Sequence, residues 1–283
     1  MSRLGLTDNL PATPKAGISH GFDAWRGREA GLTSRPRILV AFAEVRQWRP
    51  WLPEASQLLD AREMARVHSR RSSADRDLLT MAYALHRAML GAVLGLHPRQ
   101  VPLHRDARGC PRLAGDIART SLSHADGAIA IAVARVRVGV DIEPSKRLGV
   151  MEEVASRIGH RSELEAIGNR DGRERAAELL ALWVRKEAVL KAAGVGFEVE
   201  PDSFPIRADN TARIPGDENV HAVRLLPVGE PWMAAVAGPP AMEVEYGWTG
   251  PEGVLRYQRV DLLVGADVIE PDAADSQATE WVV

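Results

Sequence analysis

Val136-Arg-Val-Gly-Val-Asp-Ile-Glu143 stands at the middle of a 283-residue chain and reads as a strand. Successive side chains of a strand leave opposite faces, so Val140 and Ile142 point into a core while Asp141 and Glu143 emerge together on the other side. Helical stretches follow at about 151–168 and 173–193, then strand-like runs at 203–207, 222–226, 233–237 and 243–248. The same order precedes it: a strand at 37–45, helices at about 54–69 and 74–95, then runs at 101–104, 120–124 and 128–134. Corresponding elements lie roughly 100 residues apart. The pattern predicts an α+β fold, a pseudo-symmetric duplication of two similar α/β halves, with a cleft at their junction. The expected divisions are an N-terminal arm (1–36), a first half (37–137), a second half (138–265) and an acidic tail (266–283).

Composition narrows the function classes. With 45% hydrophobic and 26% charged residues the chain can bury a core. The 36 basic and 38 acidic residues leave a net charge of −2, without the basic excess of a nonspecific nucleic-acid binder. A single cysteine, Cys110, excludes an intrachain disulfide and a cysteine-built zinc site. The longest aliphatic run, Ala128–Ala134, is far too short for a membrane span, and the N-terminus lacks the apolar segment of a signal peptide. The expectation is a cytoplasmic protein with neither nucleic-acid nor membrane partners.

Asp141 and Glu143, side by side on one strand face, repel each other unless a cation lies between them, and hard oxygen donors suit Mg²⁺. A strand end carrying two solvated acids would look the same. In Trp183-Val-Arg-Lys-Glu-Ala-Val-Leu-Lys191, Trp183, Glu187 and Lys191 fall four apart on one helical stripe. Taken alone, Glu187 and Lys191 are an ordinary helical ion pair. Taken with Asp141 and Glu143, Glu187 adds a third carboxylate, and Lys191 a charge for a phosphoryl group. In Ser121-Leu-Ser-His124 the neighbouring Ser123 and His124 point to opposite strand faces, which argues against a nucleophile–base pair and for phosphate contacts. Between Asp60 and Arg119 there are eleven arginines and six acids, a local excess suited to a polyphosphate. Solvated helix faces account for many of those arginines equally well.

As an ordered set, Ser123-His124 followed by Gly127, then Gly139-Val-Asp-Ile-Glu143, then Trp183-Val-Arg-Lys-Glu-Ala-Val-Leu-Lys191, this chain resembles the 4′-phosphopantetheinyl transferases of the Sfp-like subfamily. The likeness spans roughly residues 37–248. It implies that fold and a monomeric, pseudo-dimeric chain. It also implies transfer of 4′-phosphopantetheine from coenzyme A to a serine of an apo acyl, peptidyl or aryl carrier protein, with release of 3′,5′-ADP. In that reading Asp141, Glu143 and Glu187 hold Mg²⁺, Glu187 also serves as base, and Lys191 neutralises the cleaved pyrophosphate. Ser123, His124, Arg66, Arg76, Arg108 and Lys186 bind the phosphates of coenzyme A.

One position departs from the family pattern. Where a lysine is usual in a Gly-Lys-Pro turn, this chain has Gly109-Cys110-Pro111, leaving Arg108 or Arg112 to supply the charge. The alternatives are another Mg²⁺-dependent phosphoryl-transfer enzyme, such as a nuclease, and a non-catalytic module that binds coenzyme A or docks carriers.

Overall fold

A computed structural model of the chain describes residues 17–28, 37–168, 170–196 and 198–262. The acidic tail and the start of the N-terminal arm therefore lie outside the described residues. In chain order the strands are β1 (Arg37–Glu44), β2 (Leu103–Arg105), β3 (Pro111–Leu113), β4 (Arg119–Ala125), β5 (Ala128–Ala134) and β6 (Gly139–Pro144). They continue with β7 (Thr211–Arg213), β8 (Val220–Leu226), β9 (Trp232–Gly238), β10 (Met242–Gly250) and β11 (Gly253–Leu262). Helices α1 (Leu52–Leu58), α2 (Ala61–His68) and α3 (Ser73–Leu94) follow β1. Helices α4 (Met151–Ile158), α5 (Arg161–Ile167) and α6 (Gly172–Ala193) follow β6. The fold is mixed α+β.

The large/small alternation of Ala128-Ile-Ala-Ile-Ala-Val-Ala134 shows how the layers stack. Ile129, Ile131 and Val133 join Leu39, Ala41 and Ala43 of β1 in a core that includes Leu85, Met89 and Val93 of α3. The alanines 128, 130, 132 and 134 face the other way with Ile38, Val40 and Phe42. There they meet Val140 and Ile142 of β6 and Ala234 and Val236 of β9. Small residues on this face let two sheets approach closely, while branched residues on the other fill the gap under a helix. On the far side of β8 and β9, α6 completes a third core with Val184, Ala188 and Val189 against Val223, Ala235 and Ala237.

After β1 come a four-residue helix (Val45–Trp48), α1, α2 and the 22-residue α3; after β6 come α4, α5 and the 22-residue α6. The sheets are unequal. One has five strands in the order β11-β10-β1-β5-β4, the other four in the order β6-β9-β8-β7. Strand β10, expected in the second half, and β11, not expected as a strand, sit in the first sheet, with β10 parallel to β1. The chain thus closes back on its beginning: residue 137 falls between β5 of the first sheet and β6 of the second, and β10 and β11 then return to the first.

Several local expectations are corrected. The stretch at 54–69 divides into α1 and α2, because Asp60 forms a reciprocal capping box with Glu63 and starts a new helix. The stretch at 151–168 divides likewise at His160, which caps α5. Residues 203–207 make only an isolated bridge from Ile206 to Ala212. The N-terminal arm is more than a loop: Ile18, Phe22 and Trp25 are fully buried, and a Cβ on Gly21 would lie 2.2 Å from the Trp48 ring. Three apolar residues in a Gly- and Pro-rich segment give no periodic signal, so only their burial shows that the segment belongs to the core. Among the described residues no helix is long and apolar enough to cross a membrane.

Candidate active site

The site forms where β4, at the edge of the first sheet, meets β6, at the edge of the second. The hydroxyl of Ser121 accepts from the Val140 backbone N–H at 3.1 Å and so replaces a strand partner for β6. Two residues on, Ser123 Oγ donates to Asp141 Oδ1 at 2.7 Å. Lys191 Nζ donates to the same Oδ1 at 2.6 Å and to Ser123 Oγ at 2.9 Å. Residues expected to act together from three separate motifs thus close a hydrogen-bonded triangle.

Gly139 explains how α6 comes near enough. A Cβ there would lie 1.9 Å from Ala188 O and 2.5 Å from Ala192 N, both helix backbone. Without a side chain at this position the strand lies directly on the helix, so Asp141 and Glu143 reach the stripe of Trp183, Glu187 and Lys191. Trp183 Nε1 donates to Glu143 Oε1 at 3.3 Å, and Arg147 Nε stands 3.1 Å from Glu143 Oε2.

The electrostatics are those of crowded acids in a shielded place. Burial, then the neighbouring Asp141 charge, pushes the Glu143 carboxyl above its ordinary value, with Arg147, Trp183 and Lys191 opposing. Burial also raises Glu187, against the pull of Lys191 and with help from Asp141 and Glu143. For His124, loss of hydration and then the positive charges of Lys191, Arg70 and Arg105 lower the imidazole pKa. Arg70 and Arg105 belong to the arginine-rich segment, but the sequence does not single them out. The arginine-rich segment announced their kind, but only the fold selects which of its members stand near His124.

The oxygen donors suit a hard divalent cation. Asp141 Oδ2 is buried without a hydrogen-bond partner, and the raised carboxyls of Glu143 and Glu187 lack sufficient compensating charge. Among the described residues, no three His, Cys, Asp or Glu side chains already stand as a coordination sphere. The fit is therefore one of donor chemistry and charge.

Four expected phosphate contacts are placed elsewhere or given other partners. Lys186, turned about 100° around α6 from Glu187, is fully buried. Its Nζ meets Glu163 Oε2 at 2.8 Å and Pro201 O at 2.8 Å. Adjacent helix residues are about 100° apart, so Lys186 cannot share the direction of Glu187. Arg108 pairs with Glu198 at 2.7 Å and borders a separate concavity of about 520 Å³ with Arg112, Arg119 and Arg137. Arg112 itself donates to Asp106 at 2.8 Å. Arg76 donates to the carbonyls of Arg70 and Arg71 at 3.0 Å each, fixing the turn that carries Arg70. Arg66 is exposed, on a hollow shared with His104 and Arg105.

Cys110 does reach the site. With Glu187, Lys191 and Trp183 it lines a groove of about 420 Å³ whose other walls include Met151, Val154, Ile158, Leu190 and Val199. Burial raises the Cys110 thiol pKa above its ordinary value, with Asp106 adding to the effect. The groove thus combines apolar walls with the charged side chains of Arg147, Arg157, Glu187, Lys191 and Glu200.

Comparison with known proteins agrees with this geometry. The family model of the 4′-phosphopantetheinyl transferase superfamily matches residues 137–227, which include Asp141, Glu143, Glu187 and Lys191. The chain is 30% identical over 184 residues to 4′-phosphopantetheinyl transferase HetI of Nostoc sp., covering 58% of this chain and 75% of HetI. It is 29% identical over 154 residues to the putative 4′-phosphopantetheinyl transferase slr0495 of Synechocystis sp., covering 52% and 62%. It is 25% identical over 130 residues to 4′-phosphopantetheinyl transferase gsp of Aneurinibacillus migulanus, covering 46% and 54%. With three-quarters of HetI matched and the four residues of the cleft inside the family region, this chain is an enzyme belonging to the 4′-phosphopantetheinyl transferase superfamily.

Proposed function

We propose that this enzyme, as an Sfp-like member of its superfamily, transfers 4′-phosphopantetheine from coenzyme A to the serine hydroxyl of an apo carrier protein and releases 3′,5′-ADP. The observation that carries the reading is the meeting of Ser123, Asp141 and Lys191 within hydrogen-bonding distance, beside Glu187 and a groove with apolar walls. A diphosphate needs cations around the breaking P–O bond and a positioned acceptor, and this arrangement supplies both.

Lys191, on the triangle with Ser123, faces the pyrophosphate and stabilises the charge that grows on the departing 3′,5′-ADP. His124 and the arginines near it, Arg70 and Arg105, hold the remaining phosphates, with Arg66 on the adjoining hollow. Arg76 contributes by fixing Arg70. Glu187, one turn from Lys191 on the groove, takes the proton of the attacking serine. Asp141, Glu143 and Glu187 would hold Mg²⁺, which when bound supplies charge neutralisation on the pyrophosphate. The groove accommodates the pantetheine arm, a flexible chain of neutral amides and a thiol that matches an apolar lining.

Incubation with coenzyme A and a panel of apo acyl and peptidyl carriers tests the proposal. A carrier mass increased by one phosphopantetheine, with 3′,5′-ADP in equal amount, is the expected result. Nucleic-acid cleavage without any carrier modification would instead establish the nuclease alternative.

A further inference from the structure

We infer that Lys186 and Glu163 form a buried clasp that sets the wall of the groove, making Lys186 a positioning residue instead of a phosphate ligand. The inference rests on the reading of the groove as the seat of the pantetheine arm. Lys186 is 0% exposed and Glu163 9%. The ammonium is bound by Glu163 Oε2, by Pro201 O and by Phe204 O, and lies 4.4 Å from the centre of the Phe204 ring. Glu163 is equally committed. Its Oε1 accepts from the Ile206 backbone N–H at 2.7 Å, and its Oε2 from the His160 N–H at 2.8 Å.

Two side chains therefore bind three carbonyl or amide groups of the Pro201–Ile206 segment to the middle of α6 and the start of α5. The chain just before that segment, with Gly196, Val199, Glu200 and Pro201, is one wall of the groove, and α4 is the other. Pro201 belongs to both the wall and the clasp. Because Lys186 precedes Glu187 on the same rigid helix, the clasp fixes the distance from the wall to the reacting end of the groove. None of the groups facing the phosphates, Ser123, His124 or Lys191, lies on the clasped segment.

The clasp thus governs the grip on the pantetheine arm and leaves the nucleotide end alone. Lys186→Met alone strands the buried Glu163 charge and lowers the melting temperature. The double variant Glu163→Gln/Lys186→Met removes both charges and recovers most of that loss, yet still lacks the ammonium tied to Pro201 and Phe204. Titration calorimetry on wild type and double variant, with coenzyme A and separately with 3′,5′-ADP, is the test. The expected result is coenzyme A affinity weakened about tenfold, with affinity for 3′,5′-ADP, which has no arm, unchanged. The KM for coenzyme A should rise in parallel, with a smaller change in kcat. Equal weakening for both ligands, or none for either, overturns the clasp while leaving the transferase reading intact. Failure of the wild type to bind coenzyme A overturns the reading itself, and the clasp with it.

Discussion

Helices α3 and α6 have the same length, 22 residues, a side-chain cap at the start from Ser72 or Asp171, and a left-handed glycine at the end, Gly95 or Gly194. Each covers one sheet. They differ in what their charged residues find. In α3, Arg87 is 2% exposed and bonds Glu63 at 2.6 Å, Asp60 at 2.7 Å and two backbone carbonyls. His86, fully buried, bonds Thr120 Oγ1 at 2.7 Å. Arg87 is consumed by the fold, and His86 keeps its Nδ1 buried without a hydrogen-bond partner. In α6, Glu187 and Lys191 face acids on β6 that remain undercompensated, and Asp141 Oδ2 has no partner at all. Two helices of one design thus differ in whether their charged residues lie in a closed core, as Arg87 does, or line an open groove, as Glu187 and Lys191 do. Within α6 the distinction runs between neighbours, Lys186 in the core and Glu187 on the groove.

The largest effect that would sharpen this contrast belongs to Asp141→Asn. The amide keeps the size of the side chain and loses the charge that Lys191 and any bound cation require. Carrier modification should fall roughly a thousandfold, the scale of a lost transition-state electrostatic contact. The melting temperature should hold or rise, since a crowded acid has gone. Chelation of divalent ions should reproduce the loss. Unimpaired transfer by this variant in EDTA would place the chemistry elsewhere.

Arg87→Met is the converse experiment on α3. It leaves the buried Glu63 without its partner, and the half-exposed Asp60 too, which should cost about 3 kcal/mol of unfolding free energy. The variant that remains folded should keep the wild-type KM for coenzyme A. A selective rise in that KM, with stability intact, would put α3 among the functional elements.

His86 gives α3 a pH signature. Burial, with Arg105 and Arg87 adding to it, lowers the imidazole pKa from 6.5 to about 3. The unfolded chain therefore binds a proton that the folded chain refuses between those values. The stabilisation is complete above about pH 6.5 and is lost as the pH falls towards 3. At pH 5 the loss from this residue is about 2 kcal/mol. Denaturant melts from pH 7 to pH 4 should show this slope in the wild type and a shallower one in His86→Gln, once the variant's general destabilisation is subtracted at pH 7. Parallel slopes would mean that His86 is protonated in the folded protein.

The smallest expected change comes from Cys110→Lys, which adds a cation to the groove beside Glu187 and Lys191. A gain of about 1 kcal/mol in coenzyme A affinity, several-fold in KM, should shrink with added salt. Arg108→Ala and Arg112→Ala should leave the same constant unchanged, because Glu198 and Asp106 already hold those guanidinium groups. A loss of affinity in either arginine variant would return it to the binding site.

By itself the sequence determined the strand–helix–strand order, the paired carboxylates of β6 and the Trp183–Glu187–Lys191 stripe. These are local periodicities of 2 and 3.6 residues, which a chain states wherever it is read. It also determined Gly139, although the reason, contact with the backbone of α6, is tertiary. Three things were decided only in the folded molecule. One is the return of β10 and β11 to the first sheet, since strand pairing is set by which edge is open and not by a strand's own residues. Another is the burial of Ile18, Phe22 and Trp25, which carry no period. The last is the fate of each charge. Lys186 and Lys191 are the same residue type on the same helix, and Arg70 and Arg108 belong to the same basic stretch. Lys186 meets Glu163 and backbone carbonyls in a closed core, whereas Lys191 meets Asp141 and Ser123 beside an open groove, and which partners come within 3 Å depends on packing among segments far apart in the chain.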